Sequence, residues 1–197
     1  MRYLADHKQR TRERVLQEAA SAIRAEGLHR IAVASVMAKV GLTHGGFYAH
    51  FSSKDAFIAA AIDQMFKEGG DRLRLSLDNR TPAEGLADYI DFYLSAAHRD
   101  ATTSGCPLPY LSADAPRLAP AMRAQVVCGI GRLTDQLATT FAAMGQADPV
   151  GDASSALAEM VGAVCLSRAD TDPVRANQVL ERTRTSLRRR LGLTAQR

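Results

Sequence analysis

The sequence predicts an all-α fold: an N-terminal three-helix head with a helix-turn-helix layout, and a larger helical body behind it. Three observations carry this. Apolar residues recur at helical spacing along most of the chain, and strand-like alternation is absent. Cap-and-proline pairs open helices at Thr81-Pro82 and Asp172-Pro173. Glycines stand where the first two periodic stretches end, at Gly27 and Gly41.

The first helix is expected from about Lys8 to Glu26, with Val15, Leu16, Ala19, Ala20, Ala22 and Ile23 inward. A short second helix runs from about Ala34 to Val40 and turns Val36, Met37 and Val40 inward. The third spans about Thr43 to Phe51. The fourth starts after Ser52-Ser53, with Ser53 as its cap, and runs toward Leu77. The fifth reaches from Pro82 to about His98 and buries Leu86, Tyr89, Ile90, Tyr93 and Leu94. Four prolines between Asp100 and Pro120 allow only short helical pieces there. Long helices follow over about Ala121–Met144, Val150–Ala169 and Pro173–Leu191.

The 197 residues are 46% hydrophobic and 23% charged, an ordinary soluble globular balance. No apolar run reaches bilayer length, and the N-terminus lacks the hydrophobic core of a secretion signal, so a cytoplasmic protein is expected. Residues 1–56 hold nine Lys/Arg and five acids, leaving sixteen of each sign in the remainder. A basic head on a neutral body suits a polyanion, although charge alone fits a solvated helix face equally well. Three cysteines at long spacings make no metal motif, and no cofactor is expected.

Val33 to Phe51 carries the chemistry. A short helix ends at Gly41, Leu42 plugs the turn, and Thr43 caps the next helix. A helix-turn-helix places its second helix in the major groove. Phe47 and Phe51, four apart, share the buried face. Thr43, His44, Gly45, Tyr48 and His50 are left outside. Gly45 and Gly46 permit close approach to a phosphate backbone or a thymine methyl, and each costs about 1 kcal/mol of helix propensity. Lys54 opens the fourth helix, where backbone N–H groups also favour phosphate. Each residue also has a plainer reading: a solvated side chain, or in Thr43 a cap.

The run from Gly41 to Asp55, GLTHGGFYAHFSSKD, resembles the G-[VL]-[ST]-x-G-x-[LF]-Y-x-H-F-x-S-K-[DE] signature of the TetR family of regulators. The resemblance implies a homodimeric repressor that leaves a palindromic DNA operator on a small-molecule or thiol-reactive signal. It implies DNA binding through Thr43, His44, Gly45, Gly46, Tyr48, His50 and Lys54. It divides the chain into a DNA-binding domain, residues 1–53, and a sensing and dimerising domain, residues 54–197. One departure stands out: Ile31 and Ala32 occupy the place where the family carries Ser or Thr before helix two, so a cap there is lost or moved to Ser35.

In the body, Ala153, Ala156, Leu157, Met160, Val161, Val164 and Cys165 recur at helical spacing beside the small Gly162 and Ala163. The resemblance pairs the last two helices with those of a second copy; the alternative is an intrachain core face. Met65, Phe66, Tyr89, Phe92, Tyr93, Tyr110, Met122, Phe141 and Met144 fall in the region that surrounds an apolar pocket in the family, and read otherwise as core. The stretch Ser104-Gly105-Cys106-Pro107 with Leu111-Ser112-Ala113 is similar to the branch that controls N-ethylmaleimide reductase, which makes Cys106 a candidate sensor. Pro107 at a first helical position would make Cys106 the cap and lower its thiol pKa. A buried structural cysteine is the alternative, and Cys128 and Cys165 are expected on apolar faces. An enzyme lacks a nucleophile elbow, a phosphate loop or a dinucleotide fingerprint to work with. An architectural DNA binder remains as a competitor; it would not need the apolar middle region.

Overall fold

The structure, a computed structural model, describes residues 2–193, with side chains from Asp6 onward. Nine α-helices and three short 3₁₀ segments make up the described residues, and no strand occurs among them. The α-helices are α1 (Arg2–Glu26), α2 (Val33–Lys39), α3 (Lys54–Leu77), α4 (Pro82–Tyr93), α5 (Ala96–Asp100), α6 (Leu108–Leu111), α7 (Pro120–Ala143), α8 (Pro149–Ala169) and α9 (Pro173–Arg190). They pack as two compact units. One joins residues up to Lys67 with Thr102–Gly129; the other joins Glu68–Ala101 with residues from Ile130 onward. Helices α3 and α7 each run from one unit into the other.

The first unit is built on α1. Its predicted inward residues, Val15 to Ile23, are all buried. The helix begins upstream of Lys8, because nothing in residues 2–7 breaks it. The segment expected as the third helix is a 3₁₀ segment over His44–Ala49. Its Gly46 and His50 N–H groups donate three residues back, to the Thr43 and Phe47 carbonyls. Two adjacent glycines weaken the wider α turn, and the tighter one takes over. In α3, the Ser53 hydroxyl accepts from Ala56 N–H at 3.0 Å, the expected cap.

In the second unit, Thr81 and Glu84 form a reciprocal capping box at the start of α4. The expected fifth helix breaks after Tyr93. Ser95 accepts from His98 N–H at 3.1 Å and restarts the chain as α5. Helix α8 packs on α9, and its Ala153, Ala156, Leu157, Met160 and Val164 are all buried within the chain. The intrachain alternative therefore holds for these residues. Helix α8 is also long and apolar enough by composition to cross a membrane, although no run of bilayer length within it is free of charge. It carries Asp152, Glu159 and Arg168 and has this buried face, so it serves as a core helix.

The apolar middle residues divide between the units. Met65, Phe66 and Met122 are core of the first; Tyr89, Tyr93 and Phe141 are core of the second. Phe92 is half-buried beneath Arg72, whose guanidinium lies 4.1 Å from its ring centre.

Candidate nucleic-acid interface

The site begins with how α2 ends. Gly41 has φ +76°, and its N–H donates to the Ala38 carbonyl at 3.0 Å. Leu42 N–H reaches back to the Met37 carbonyl at 2.9 Å. These two bonds form a Schellman turn, which satisfies the last carbonyls and fixes the exit direction of the chain. From α1, Arg14 donates to the Val40 carbonyl at 3.1 Å, and Glu18 binds Lys39 at 3.0 Å. That partner raises the Lys39 pKa. Both pairs fasten α2 to α1.

The 3₁₀ segment stands on an aromatic base. Phe47 and Phe51 stack at 5.4 Å, and the Phe57 ring meets Phe47 edge-on at 5.5 Å. All three are buried. With that face down, Thr43, His44, Gly45 and Tyr48 point to solvent, while Gly46 and His50 are half-buried. Tyr48 is 68% exposed and meets Phe47 edge-on at 5.2 Å. An apolar ring held at the surface offers its hydroxyl and face to a partner. Lys54 is exposed at the first residue of α3.

One expectation is corrected here, and of the two alternatives for the α2 cap the loss holds. Thr43 has extended backbone at the cap position, but its hydroxyl makes no cap bond. The first donor, Gly46 N–H, takes the Thr43 main-chain carbonyl instead. Ala32 caps α2 without a side-chain bond, and Ser35, exposed within the helix, does not replace it.

The structure adds residues that the motif did not supply. Arg12 lies over the Phe51 ring at 5.1 Å. Burial holds the His50 pKa below its usual value, and the charges of Lys8 and Arg12 lower it further. His50 Nδ1 is buried without a hydrogen-bond partner. Lys8 and Arg12 thus bring positive potential beside a neutral His50, a pattern suited to phosphate. The spacing of Lys8 and Arg12, four apart on α1, was the available signal.

Cys106 is buried, at 4% exposure, and is not a helix cap. Pro107 already has helical backbone, and its carbonyl accepts from Tyr110 and Leu111 N–H, both at 3.0 Å. The helix that follows is a single turn, too short for an appreciable dipole. Cys128, expected on an apolar face, is exposed on α7. Cys165 is half-buried, and burial pushes its thiol pKa up.

A family model described as "Bacterial regulatory proteins, tetR family" matches residues 15–61, the stretch containing this interface. An uncharacterized HTH-type transcriptional regulator of Bacillus subtilis, YvdT, is 28% identical over 91 residues, covering 45% of this chain and 47% of that protein. The chain thus spans about half the length of this curated relative. A TetR transcriptional regulator from Chloroflexus aurantiacus has a similar structure: TM-score 0.77, 26% identity, 95% of this chain and 96% of the other. Reduced NemR from E. coli superposes with TM-score 0.78 at 21% identity over 91% of this chain and 95% of its own, a likeness of fold.

Proposed function

We propose that the chain, whose residues 15–61 match the TetR family of bacterial regulatory proteins, is a cytoplasmic, homodimeric transcriptional repressor. Residues 1–53 read a palindromic operator, and residues 54–197 dimerise and receive the signal. A small molecule or a thiol-reactive compound then shifts the two heads so that they no longer span both half-sites. The observation that carries this reading is the exposed surface of Thr43, His44, Gly45 and Tyr48, held up by buried Phe47, Phe51 and Phe57. A rigid base with small and hydrogen-bonding residues on its outer face is what groove readout requires. Tyr48, His50 and Lys54 take phosphate, and Thr43, His44, Gly45 and Gly46 approach the bases.

Two-fold reading requires a second copy. In α8 the face opposite the buried one carries Ala158, Gly162, Cys165 and Leu166; Leu166 is 65% exposed. We assign the dimer seam to this face together with the outer face of α9. Cys106 is the candidate sensor, and its burial means that the surrounding segment opens before the thiol reacts.

Selection from a random DNA pool tests the reading. Enrichment of an inverted repeat with half-site centres about one helical turn apart is the expected result. An enriched single half-site bound by a monomer would remove the dimer, and no enriched sequence would remove the function.

A further inference from the structure

Arg24 is a charged residue at 5% exposure, near the C-terminal end of α1. Its guanidinium reaches three main-chain carbonyls. Nε donates to Gly105 at 3.1 Å, Nη1 to Thr103 at 3.5 Å and Nη2 to Met65 at 3.5 Å. Met65 lies in the middle of α3; Thr103 and Gly105 lie in the segment that leads into Cys106. One planar fork therefore ties α1, α3 and the 102–108 segment together within the first unit.

The local chemistry makes this tie firm. Gly105 has φ +98°, a conformation in which L side chains are strained. Thr102, Thr103 and Ser104 are exposed, whereas Cys106, Pro107 and Leu108 are buried. The segment thus has an outer flank that water can reach and an inner flank packed in the core. Lifting it would strip two acceptors from a buried cation, a costly state. Up to about three turns earlier, in its middle, α1 carries Val15, Leu16 and Ala19 into the core and holds the Val40 carbonyl at the end of α2 through Arg14. Arg14 and Arg24 thus stand on one uninterrupted helix, which joins the two contacts rigidly.

We infer that Arg24 is the positioning residue through which the 102–108 segment and the DNA-reading head are conformationally linked: the segment closes only when α1 holds the DNA-competent pose. This rests on the proposed DNA-binding function and adds its route of regulation. Linkage is reciprocal, so operator binding must also hold the segment shut.

Cys106, buried in that segment, reports its opening, and exposed Cys128 serves as the internal control. The full chain is pulsed with N-ethylmaleimide with and without the selected operator duplex, and each cysteine peptide is followed by mass spectrometry. In the wild type, operator slows alkylation of Cys106 by about fivefold or more and leaves Cys128 unchanged. Arg24→Lys keeps the charge but loses the fork. It should still bind operator while the Cys106 rate ratio falls to near one. A residue that merely stabilised the fold would raise both rates and preserve the ratio. Gly105→Ala, which displaces the acceptor and leaves the guanidinium, supplies the same comparison if the lysine variant does not fold. An operator-independent Cys106 rate in the wild type, or a ratio retained in the variants, overturns the linkage while the DNA-binding function stands. Absence of any bound operator overturns both.

Discussion

Arg14 spends its charge on the Val40 carbonyl, 3.1 Å away at the end of α2. It therefore positions the helix-turn-helix. Loss of such a bond costs about 1 kcal/mol. Arg14→Ala should weaken operator binding several-fold and leave its salt dependence unchanged. Lys54→Ala should weaken binding and reduce the log–log salt slope by about 1, as loss of a phosphate contact does. Affinities measured from low to high salt separate the two; a reduced slope in the Arg14 variant would make it a phosphate contact.

Gly41 and Gly45 are glycines for different reasons. Gly41 has φ +76° and open space around it, so a Cβ meets no atom but strains the backbone. Gly41→Ala should destabilise the head by about 1 kcal/mol. At Gly45 no positive φ occurs, and the nearest atom to an added Cβ is the Thr43 hydroxyl at 3.9 Å. Gly45→Ala should keep or raise thermal stability yet lose operator affinity, because the methyl stands where DNA approaches. Thermal melts and binding titrations on both variants check this. Full operator affinity in Gly45→Ala would remove that residue from the interface.

His50 ties head stability to pH. Its folded-state pKa lies below the unfolded value through burial and the neighbouring Lys8 and Arg12 charges. The unfolded state then binds more protons, so this contribution to stability falls as pH drops through about 6.5 and below. His50→Gln should flatten that acid-side decline in chemical denaturation. An unchanged pH profile in the variant would assign the decline elsewhere.

The dimer seam has its own test. Leu166 is 65% exposed and Met160 fully buried on the same helix. Leu166→Asp should yield a folded monomer by sedimentation, whereas Met160→Asp should unfold the second unit. A dimer that survives Leu166→Asp places the seam on another surface.

Sequence patterning made much of this visible. The head's buried face, the Gly41 turn, the Ser53 cap and the Thr81 capping box are local signals, and local physics sets them. Other features depend on tertiary partners. Whether Ala153 and Met160 are buried within their own chain or against a second copy is not encoded in periodicity, because either partner presents an apolar surface. Arg24 looked like any other charge in a basic helix; its acceptors are carbonyls 41 to 81 residues away. Cys106 missed its cap by one residue, since Pro107 was free to take either the first helical position or the cap. The third helix tightened to 3₁₀ because Gly45-Gly46 left little propensity for an α turn.

The most direct measurement is the affinity of the full chain for its selected palindrome against a scrambled duplex of equal length, at one physiological salt concentration. Sequence-specific reading predicts a preference of at least about 10³-fold, with Tyr48→Ala weakening both complexes. Equal affinity for the two duplexes would contradict it and leave a basic head that holds DNA by charge alone.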